Sequence, residues 1–184
     1  EVRAPRRPEE RLSLPPAMVT PTDPQLQRRF AREQKLLREL YARDSDPPAW
    51  DSFVLPVADL LGSPFGLRRI LNGEPKSPHA GVDFRSPRGT EVAAAGHGRA
   101  VFVGDLYYSG LTVILDHGAG LFSIYAHLEE ILCREQQPVE RGAIVGRVGS
   151  TGRSTGPHLH WGVRLRGDRI DPLGIIRALT AQGP

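Results

Sequence analysis

The chain has 184 residues, 39% of them hydrophobic and 24% charged, which is enough for one domain with a core, or for a small domain with an appendage. No run approaches the ~20 apolar residues of a membrane-spanning helix, and a formal charge of +3 spread along the chain argues against a nucleic-acid-binding arm. Cys133 is the single cysteine, which excludes an internal disulfide and a thiolate metal site.

The composition changes near residue 50. All 20 glycines lie at Gly62 or later, whereas eight of the 17 prolines fall within the first 48 residues. We therefore predict an N-terminal arm, residues 1–49, and a glycine-rich body, residues 50–184. The first 24 residues are charged and proline-rich, so we expect them to build no core of their own.

The arm carries one helix signal. Asp23 is a good N-cap residue, and Pro24 suits the first helical position. Apolar residues then recur at helical spacing as far as about Arg43, namely Leu26, Phe30, Leu37, Leu40 and Tyr41. An isolated helix of this length is marginal in water, so this stripe is expected to pack on the body or on an upstream accessory domain.

The body contains short apolar or β-branched runs separated by glycine-containing turns, with no helical periodicity between them. The runs are Gly81–Phe84, Ala100–Val103, Leu111–Asp116, Leu121–Leu128, Ala143–Val148 and His158–Leu165. This pattern predicts a mostly β fold, with an antiparallel sheet arranged as a sandwich or barrel.

Three strand-like segments, 79–84, 122–128 and 158–165, place histidine or aspartate on the face opposite their apolar residues. On a strand, residues two apart share a face, so His158 and His160 are expected side by side, with Leu159 and Trp161 facing the other way. Alone, such a pair of histidines is a modest signal, because two exposed histidines on a polar face give the same pattern.

The second run places His79, Gly81 and Asp83 on one face. We expect Gly81 to leave open space between the imidazole and the carboxylate, where an ion fits. In the third run, Ser123, Tyr125 and His127 form the face opposite the apolar residues Phe122, Ile124, Ala126 and Leu128.

If these faces line one groove, two imidazoles and one carboxylate supply the three protein ligands of a hydrolytic zinc site. Two histidines then remain for proton transfer. No H-E-x-x-H motif supplies a glutamate base, and an imidazole titrates near neutrality, so histidine is the natural candidate for the base.

The same residues stand within a longer series of motifs. In chain order they are Ser63-Pro64-Phe65-Gly66-Leu67-Arg68, His79-x-x-x-Asp83, Gly89-Thr90-Glu91-Val92-Ala93-Ala94, Leu115-Asp116-His117-Gly118, Tyr125-Ala126-His127-Leu128, Gly149-Ser150-Thr151-Gly152, Gly156-Pro157-His158-Leu159-His160 and Asp171-Pro172. Over about residues 62–175 this series resembles the LytM/lysostaphin-type zinc metallopeptidases, peptidase family M23.

The resemblance implies an antiparallel β fold with a groove, and hydrolysis of peptide cross-links or bridges in bacterial peptidoglycan. By motif position, His79, Asp83 and His160 bind one Zn²⁺. His127 and His158 form the catalytic pair, one accepting the proton of water and the other stabilising the oxyanion, in an order that the sequence leaves open.

Substrate contacts are less closely defined. Members commonly carry Tyr-Gly-Asn before the strand that leads to Asp-His-Gly, whereas this chain has Tyr107-Tyr108-Ser109-Gly110-Leu111. We expect Tyr108 to take the place of an oxyanion-stabilising tyrosine. Arg68, Arg69 and Asn72 precede the first ligand and are expected at the border of the groove, where we select Arg68 and Asn72 for substrate contact. A related hypothesis is that the arm restricts the groove.

Two other functions fit parts of the pattern. A wall-binding or regulatory module keeps this fold without turnover, but all five site positions carry the residues that catalysis needs. A phosphocarrier domain has hairpins like Val139–Val148 and paired histidines, but it needs no carboxylate at Asp83. We therefore expect a monomeric, exported enzyme of the cell envelope, periplasmic or extracellular, that binds peptidoglycan peptides and no nucleic acid. Glycine bridges and D-amino-acid cross-links both fit as its substrate.

Overall fold

The structure is a computed structural model that describes residues 9–13, 19, 21–43 and 52–180. The helices with described bounds are α1 (Pro24–Tyr41) and α2 (Pro172–Thr180). The strands are β1 (Glu9–Leu12), β2 (Arg68–Leu71), β3 (Glu74–Lys76), β4 (Gly81–Phe84), β5 (Glu91–Ala93), β6 (Gly98–Leu106), β7 (Gly110–Asp116), β8 (Leu121–Ile131), β9 (Pro138–Val139), β10 (Ile144–Val148), β11 (Leu159–Leu165) and β12 (Asp168–Ile170). Within the described residues, no helix has both the length and the apolar character needed to cross a membrane.

Nine of the strands form one antiparallel sheet in the body. Its main path is β12-β11-β8-β7-β6-β9, with β4 paired to β11, β10 to β8, and β5 to β10. Each of the six predicted runs coincides with a strand of this sheet. The mostly β, antiparallel fold preceded by an N-terminal helix is therefore confirmed.

The nine-stranded sheet separates two apolar clusters. On one face, Tyr125 and Trp161 pair across β8 and β11 and lie fully buried at the centre of the main core. Ile114 and Phe122 belong to the opposite face, where they pack against Leu40 of α1. The helix therefore covers part of the sheet face that the main core does not use.

Helix α1 begins as predicted and ends two residues earlier. The carboxylate of Asp23 accepts hydrogen bonds from the backbone nitrogens of Gln25 at 2.6 Å and Leu26 at 3.4 Å, which caps the first turn. The last helical residue is Tyr41. Leu40, on the predicted apolar stripe, is almost fully buried against the body.

Polar contacts fix α1 to the end of β6 and to the turn that follows it. The guanidinium of Arg29 binds the carboxylate of Asp105 at 2.9 Å, and the backbone nitrogen of Tyr107 donates to the carboxylate of Glu33 at 2.9 Å. These contacts join residues 74 to 76 positions apart, so the helix is docked on the body and not merely tethered to it.

A chain of polar groups crosses the main core. The buried ring of His117 places Nδ1 2.6 Å from the carbonyl oxygen of His97 and Nε2 2.7 Å from Oγ of Ser123. Oγ of Ser123 also lies 2.9 Å from the hydroxyl of Tyr125. Burial lowers the pKa of His117 to about 4, so this ring is neutral at neutral pH.

Strand β1 lies in the stretch that was expected to build no core. This strand forms without a core of its own, because its backbone pairs in parallel with β2 in a separate three-stranded sheet, β1-β2-β3. The C-terminal helix α2 was also not predicted. Asp171 caps this helix through a 3.1 Å hydrogen bond from the backbone nitrogen of Leu173.

Candidate active site

Two glycines set the register that brings Asp83 beside His160. Gly81 and Gly162 pair across β4 and β11, and the same antiparallel register pairs Asp83 with His160. A Cβ on Gly81 would lie 2.3 Å from the carbonyl oxygen of Trp161, so this close approach of strands requires glycine. The expectation that Gly81 leaves space for an ion was wrong, because neighbouring backbone fills that space.

His79 lies just before β4 and is held by two backbone groups. Its backbone nitrogen donates to the carbonyl of Leu67 at 2.9 Å, and its Nδ1 lies 2.9 Å from the carbonyl oxygen of Pro64. A carbonyl only accepts hydrogen bonds, so Nδ1 carries a proton and Nε2 is the ring nitrogen left to face Asp83 and His160. A carbonyl partner of this kind orients an imidazole that binds a metal.

Three donor atoms converge between β4 and β11, and we refer to them as the donor triad: Nε2 of His79, Oδ1 of Asp83 and Nδ1 of His160. The two ring nitrogens are 3.0 Å apart, and the carboxylate oxygen lies 2.9 Å from His79 and 2.7 Å from His160. Tetrahedral zinc with bonds of about 2.1 Å holds its ligand atoms roughly 3.4 Å apart. A small outward movement therefore admits the ion, and two imidazoles with one carboxylate suit zinc.

The electrostatics of the triad favour a cation. Burial raises the pKa of Asp83, but hydrogen bonds with His160 and His79 outweigh burial and hold the pKa of this carboxyl well below its ordinary value. Burial lowers the pKa of His160. The triad thus combines an anionic carboxylate with an imidazole whose neutral form, the form that binds metal, is favoured.

A β-bulge places His127 on the same sheet face as the triad. Val113 pairs with Tyr125 and Leu111 with Leu128, so β8 has one residue more than β7 over this interval. His127 has a φ of 62°, in the left-handed region that few non-glycine residues adopt.

The bulge corrects the predicted face of β8. Ser123 and Tyr125 are buried on the side of the main core, whereas regular alternation would have placed His127 there with them. The prediction that Ser123, Tyr125 and His127 share one face was therefore wrong. The extra residue in β8 is what turns the imidazole away from the core.

The other predicted catalytic ring, His158, lies beside His127. Their ring centroids are 4.6 Å apart, and the ring of His127 is 6.1 Å from that of His160. Nδ1 of His127 lies 2.8 Å from the carbonyl oxygen of Thr151, and Nδ1 of His158 lies 2.8 Å from that of Gly156. Each carbonyl fixes a proton on Nδ1, so the neutral ring has its lone pair on Nε2.

The environment of His127 keeps its ring neutral. Burial, together with the nearby rings of His160 and His158, lowers the pKa of His127 to about 3. At neutral pH the ring therefore has an open acceptor position. A group of this kind can take a proton from a reacting molecule within hydrogen-bond distance.

A cavity of about 980 Å³ lies between α1 and this sheet face, and we call it the groove. On the side of the sheet the groove is lined by His79, His127 and His160, and on the side of α1 it is lined by Phe30 and Leu37. The groove is thus lined by both imidazoles of the donor triad, Asp83 lines a neighbouring cavity of about 310 Å³, and the arm forms one wall of the groove.

The predicted substrate-binding residues are not all in the groove. Tyr108 lines it, with its hydroxyl donating to the carbonyl of Val19 at 3.3 Å. Arg68 pairs with Glu9 at 3.1 Å with about half of its side chain exposed, and Asn72 is exposed in the turn between β2 and β3. Neither Arg68 nor Asn72 lines the cavities beside the triad.

Two arginines line the groove: Arg69, which was expected at its border, and Arg153, which was not singled out from the sequence. Nη2 of Arg69 donates to Oδ2 of Asp83 at 2.8 Å, and the guanidinium of Arg153 lies 4.2 Å from the ring centre of Tyr108. Alternation along a short strand does not tell which of two adjacent arginines, Arg68 or Arg69, faces the site. Arg153 lies in a loop, where no periodic signal exists.

Comparison with known proteins assigns the family. The model of Peptidase family M23 matches residues 77–172, just over half of the chain, and the chain belongs to that family. It is 38% identical over 115 residues to DD-carboxypeptidase/endopeptidase Mpg of Neisseria meningitidis. That alignment covers 62% of this chain and 26% of the relative, so the chain spans about a quarter of the relative's length.

Comparison with solved structures supports the same family assignment. A Pseudomonas aeruginosa protein assigned to peptidase M23 superposes with a TM-score of 0.74 at 39% identity, covering 83% of this chain and 63% of that one. A zinc-containing peptidase from Vibrio cholerae superposes with a TM-score of 0.59 at 31% identity, covering 70% of this chain and 39% of that one.

Proposed function

We propose that this chain carries a zinc-dependent endopeptidase that hydrolyses peptide cross-links in bacterial peptidoglycan. The observation that carries the proposal is the convergence of His79, Asp83 and His160 next to two further imidazoles, those of His127 and His158. Family membership and the zinc-containing structural relative support the choice of metal. We assign residues 50–184 to the catalytic domain and residues 1–49 to an arm that docks on it.

We assign the donor triad as the zinc ligands. When zinc is bound in a site with three protein ligands, it acidifies a coordinated water and polarises a carbonyl. Pro64 orients the ring of His79 by accepting its Nδ1 proton, and Arg69 orients Asp83 by binding Oδ2. These two contacts leave Nε2 of His79 and Oδ1 of Asp83 directed to the centre of the triad.

We assign His127 as the group that takes the proton from the attacking water. Its Nδ1 proton is engaged by Thr151, so the neutral ring has its Nε2 lone pair available to accept a proton. His158 then stabilises the developing oxyanion by donating from Nε2, which requires it to be protonated, because Gly156 engages its Nδ1. Tyr108 and Arg153 border the same groove and are assigned to substrate contact.

The name of the Neisseria relative specifies DD bonds, which favours D-amino-acid cross-links over glycine bridges as the substrate. Because peptidoglycan lies outside the cytoplasm, we assign the protein to the cell envelope.

Digestion of purified peptidoglycan tests the proposal. The zinc-loaded chain is expected to release new amino and carboxyl ends at peptide cross-links, identified by mass spectrometry, while the His160→Ala protein releases none. New ends at glycine bridges would change the assigned substrate from D-amino-acid cross-links to glycine bridges. Absence of new ends in walls of both kinds would overturn the enzymatic function and favour a binding module.

A further inference from the structure

The arm places a carboxylate next to the donor triad. Strand β1 pairs in parallel with β2, so that Glu10 lies opposite Arg69. Oε2 of Glu10 accepts a hydrogen bond from Nε of Arg69 at 2.9 Å, and Oε1 accepts one from Oγ of Ser63 at 3.0 Å. Both oxygens of this carboxylate are thus held by residues of the body.

Arg69 touches two carboxylates at once. While Nε binds Glu10, Nη2 donates to Oδ2 of Asp83 at 2.8 Å. The other oxygen of Asp83, Oδ1, belongs to the donor triad. A single guanidinium therefore separates the arm carboxylate from the carboxylate that we assign to zinc, and its fork can hold one carboxylate on each side.

The surroundings favour an anion at the position of Glu10. A cavity of about 310 Å³ contains Glu10, Ser63 and Arg69 together with Asp83, both catalytic histidines and Arg153. Besides burial, the positive charge of Arg69 lowers the pKa of Arg153, so the two cations repel each other across this space. A divalent ion on Asp83 adds further positive charge, which strengthens the attraction for a second carboxylate.

We propose that Arg69 and Ser63 form a subsite for a carboxylate of the substrate peptide, and that Glu10 of the arm occupies this carboxylate subsite in the present structure. This inference rests on the proposed function and deepens it, because it names the substrate as a peptide with a free carboxylate next to the bond that is cleaved. Arg69 is then a specificity-determining residue, and the arm competes with substrate for it.

An alternative is that Glu10 and Arg69 form only a docking ion pair. About a quarter of each side chain is exposed, and ion pairs of that kind contribute little to stability. The two explanations differ in one respect. If Glu10 and Arg69 form only a docking pair, the charge of the substrate does not affect its binding. The carboxylate subsite, in contrast, binds a carboxylate more tightly than a carboxamide of the same shape.

The first experiment measures displacement of the arm without requiring cleavage. N-acetyl-D-alanyl-D-alanine and its carboxamide are titrated separately against the full zinc-loaded chain, and hydrogen exchange is measured at residues 9–12. The carboxylate peptide is expected to raise exchange there at concentrations at least about tenfold below those of the carboxamide, which matches a charged hydrogen bond of 1.5–3 kcal/mol. Equal potency of the two peptides would overturn the inference.

Variants separate the subsite from general effects of charge. Arg69→Gln is expected to abolish discrimination between the two peptides, and Arg69→Lys to restore part of it. The matched control is Arg68→Gln, at the adjacent residue, which pairs with Glu9 and lies outside both cavities. Zinc content is measured for each variant, because Arg69 also contacts Asp83. Equal loss of discrimination in Arg68→Gln and Arg69→Gln would contradict the assignment.

Turnover gives an independent readout. Glu10→Gln keeps the size of the side chain but removes its charge, and it is expected to lower KM for carboxylate-bearing cross-linked peptides by about two- to fivefold, as for the loss of a partly exposed ion pair. If the carboxylate peptide displaces the arm but no peptide is cleaved, the subsite stands and the proposed function fails. If carboxylate and carboxamide substrates are cleaved with equal kcat/KM, the subsite fails and the proposed function stands.

Discussion

Gly81 and Gly162 face each other across β4 and β11, and the contact between their backbones leaves no room for a methyl group at Gly81. Two residues further along β4, the same register sets Asp83 against His160. The geometry of the donor triad therefore depends on a glycine that contributes no ligand atom. A substitution there tests how closely the proposed metal site depends on strand spacing.

Gly81→Ala is expected to reduce both stability and zinc affinity. A Cβ at 2.3 Å from the carbonyl oxygen of Trp161 forces β4 away from β11, at a cost typical of overpacking, about 1–3 kcal/mol. Urea unfolding and zinc titration measure the two effects. Gly156→Ala is the control, since the same methyl group meets no atom within 4 Å. Equal stability and zinc affinity in the two variants would contradict the role given to Gly81.

Measuring the zinc content and the catalytic rate of alanine variants is expected to distinguish the proposed ligands from the proposed catalytic histidines. His160→Ala removes one of the three proposed ligands, so zinc affinity and activity should both collapse. His127→Ala and His158→Ala leave the triad intact, and each should lower the rate by ~10²–10⁴-fold with zinc retained. Loss of zinc from either of these two proteins, to the extent seen for His160→Ala, would show that the division of roles is wrong.

The backbone at His127 predicts a conflict between stability and activity. A left-handed φ costs a non-glycine residue about 1–2 kcal/mol, a cost that glycine does not bear. His127→Gly is therefore expected to unfold at higher denaturant concentration than His127→Ala, although both are inactive. At Glu130, on the same strand but without a left-handed φ, the order should reverse, since glycine weakens an ordinary strand position. A less stable His127→Gly protein would show that the bulge carries no strain.

Acid is expected to destabilise the fold partly through His117. Its pKa is about 6.5 in the unfolded chain and about 4 in the core, so between these values the unfolded state binds more protons and stability falls as the pH falls. From pH 7 to 5.5 the protein should lose about 1 kcal/mol more unfolding free energy than His117→Gln, whose side chain does not titrate. Parallel pH dependence of the two proteins, measured in the same metal state, would rule out this contribution.

Much of the site could be predicted because the sequence patterns that indicate it lie within single strands and the turns next to them. The alternation around His160 and Asp83 assigned their strands, and glycine-containing turns marked where those strands end. The bulge at His127 had no such signal, since an extra residue in β8 is defined only by its pairing with β7. The pairing of Arg69 with Glu10 could not be predicted for a related reason: Glu10 lies 59 residues away on a strand that forms only by joining β2.

The two imidazoles of the donor triad come from positions 79 and 160, which are 81 residues apart. While the chain is being synthesised, a complete coordination sphere cannot form until β11 has emerged and joined β4. Before that point only His79 and Asp83 are available, and two donors on a flexible segment hold an ion weakly. Under the proposed function, metal uptake is thus one of the last steps of maturation, and the ion then adds its binding free energy to the finished fold.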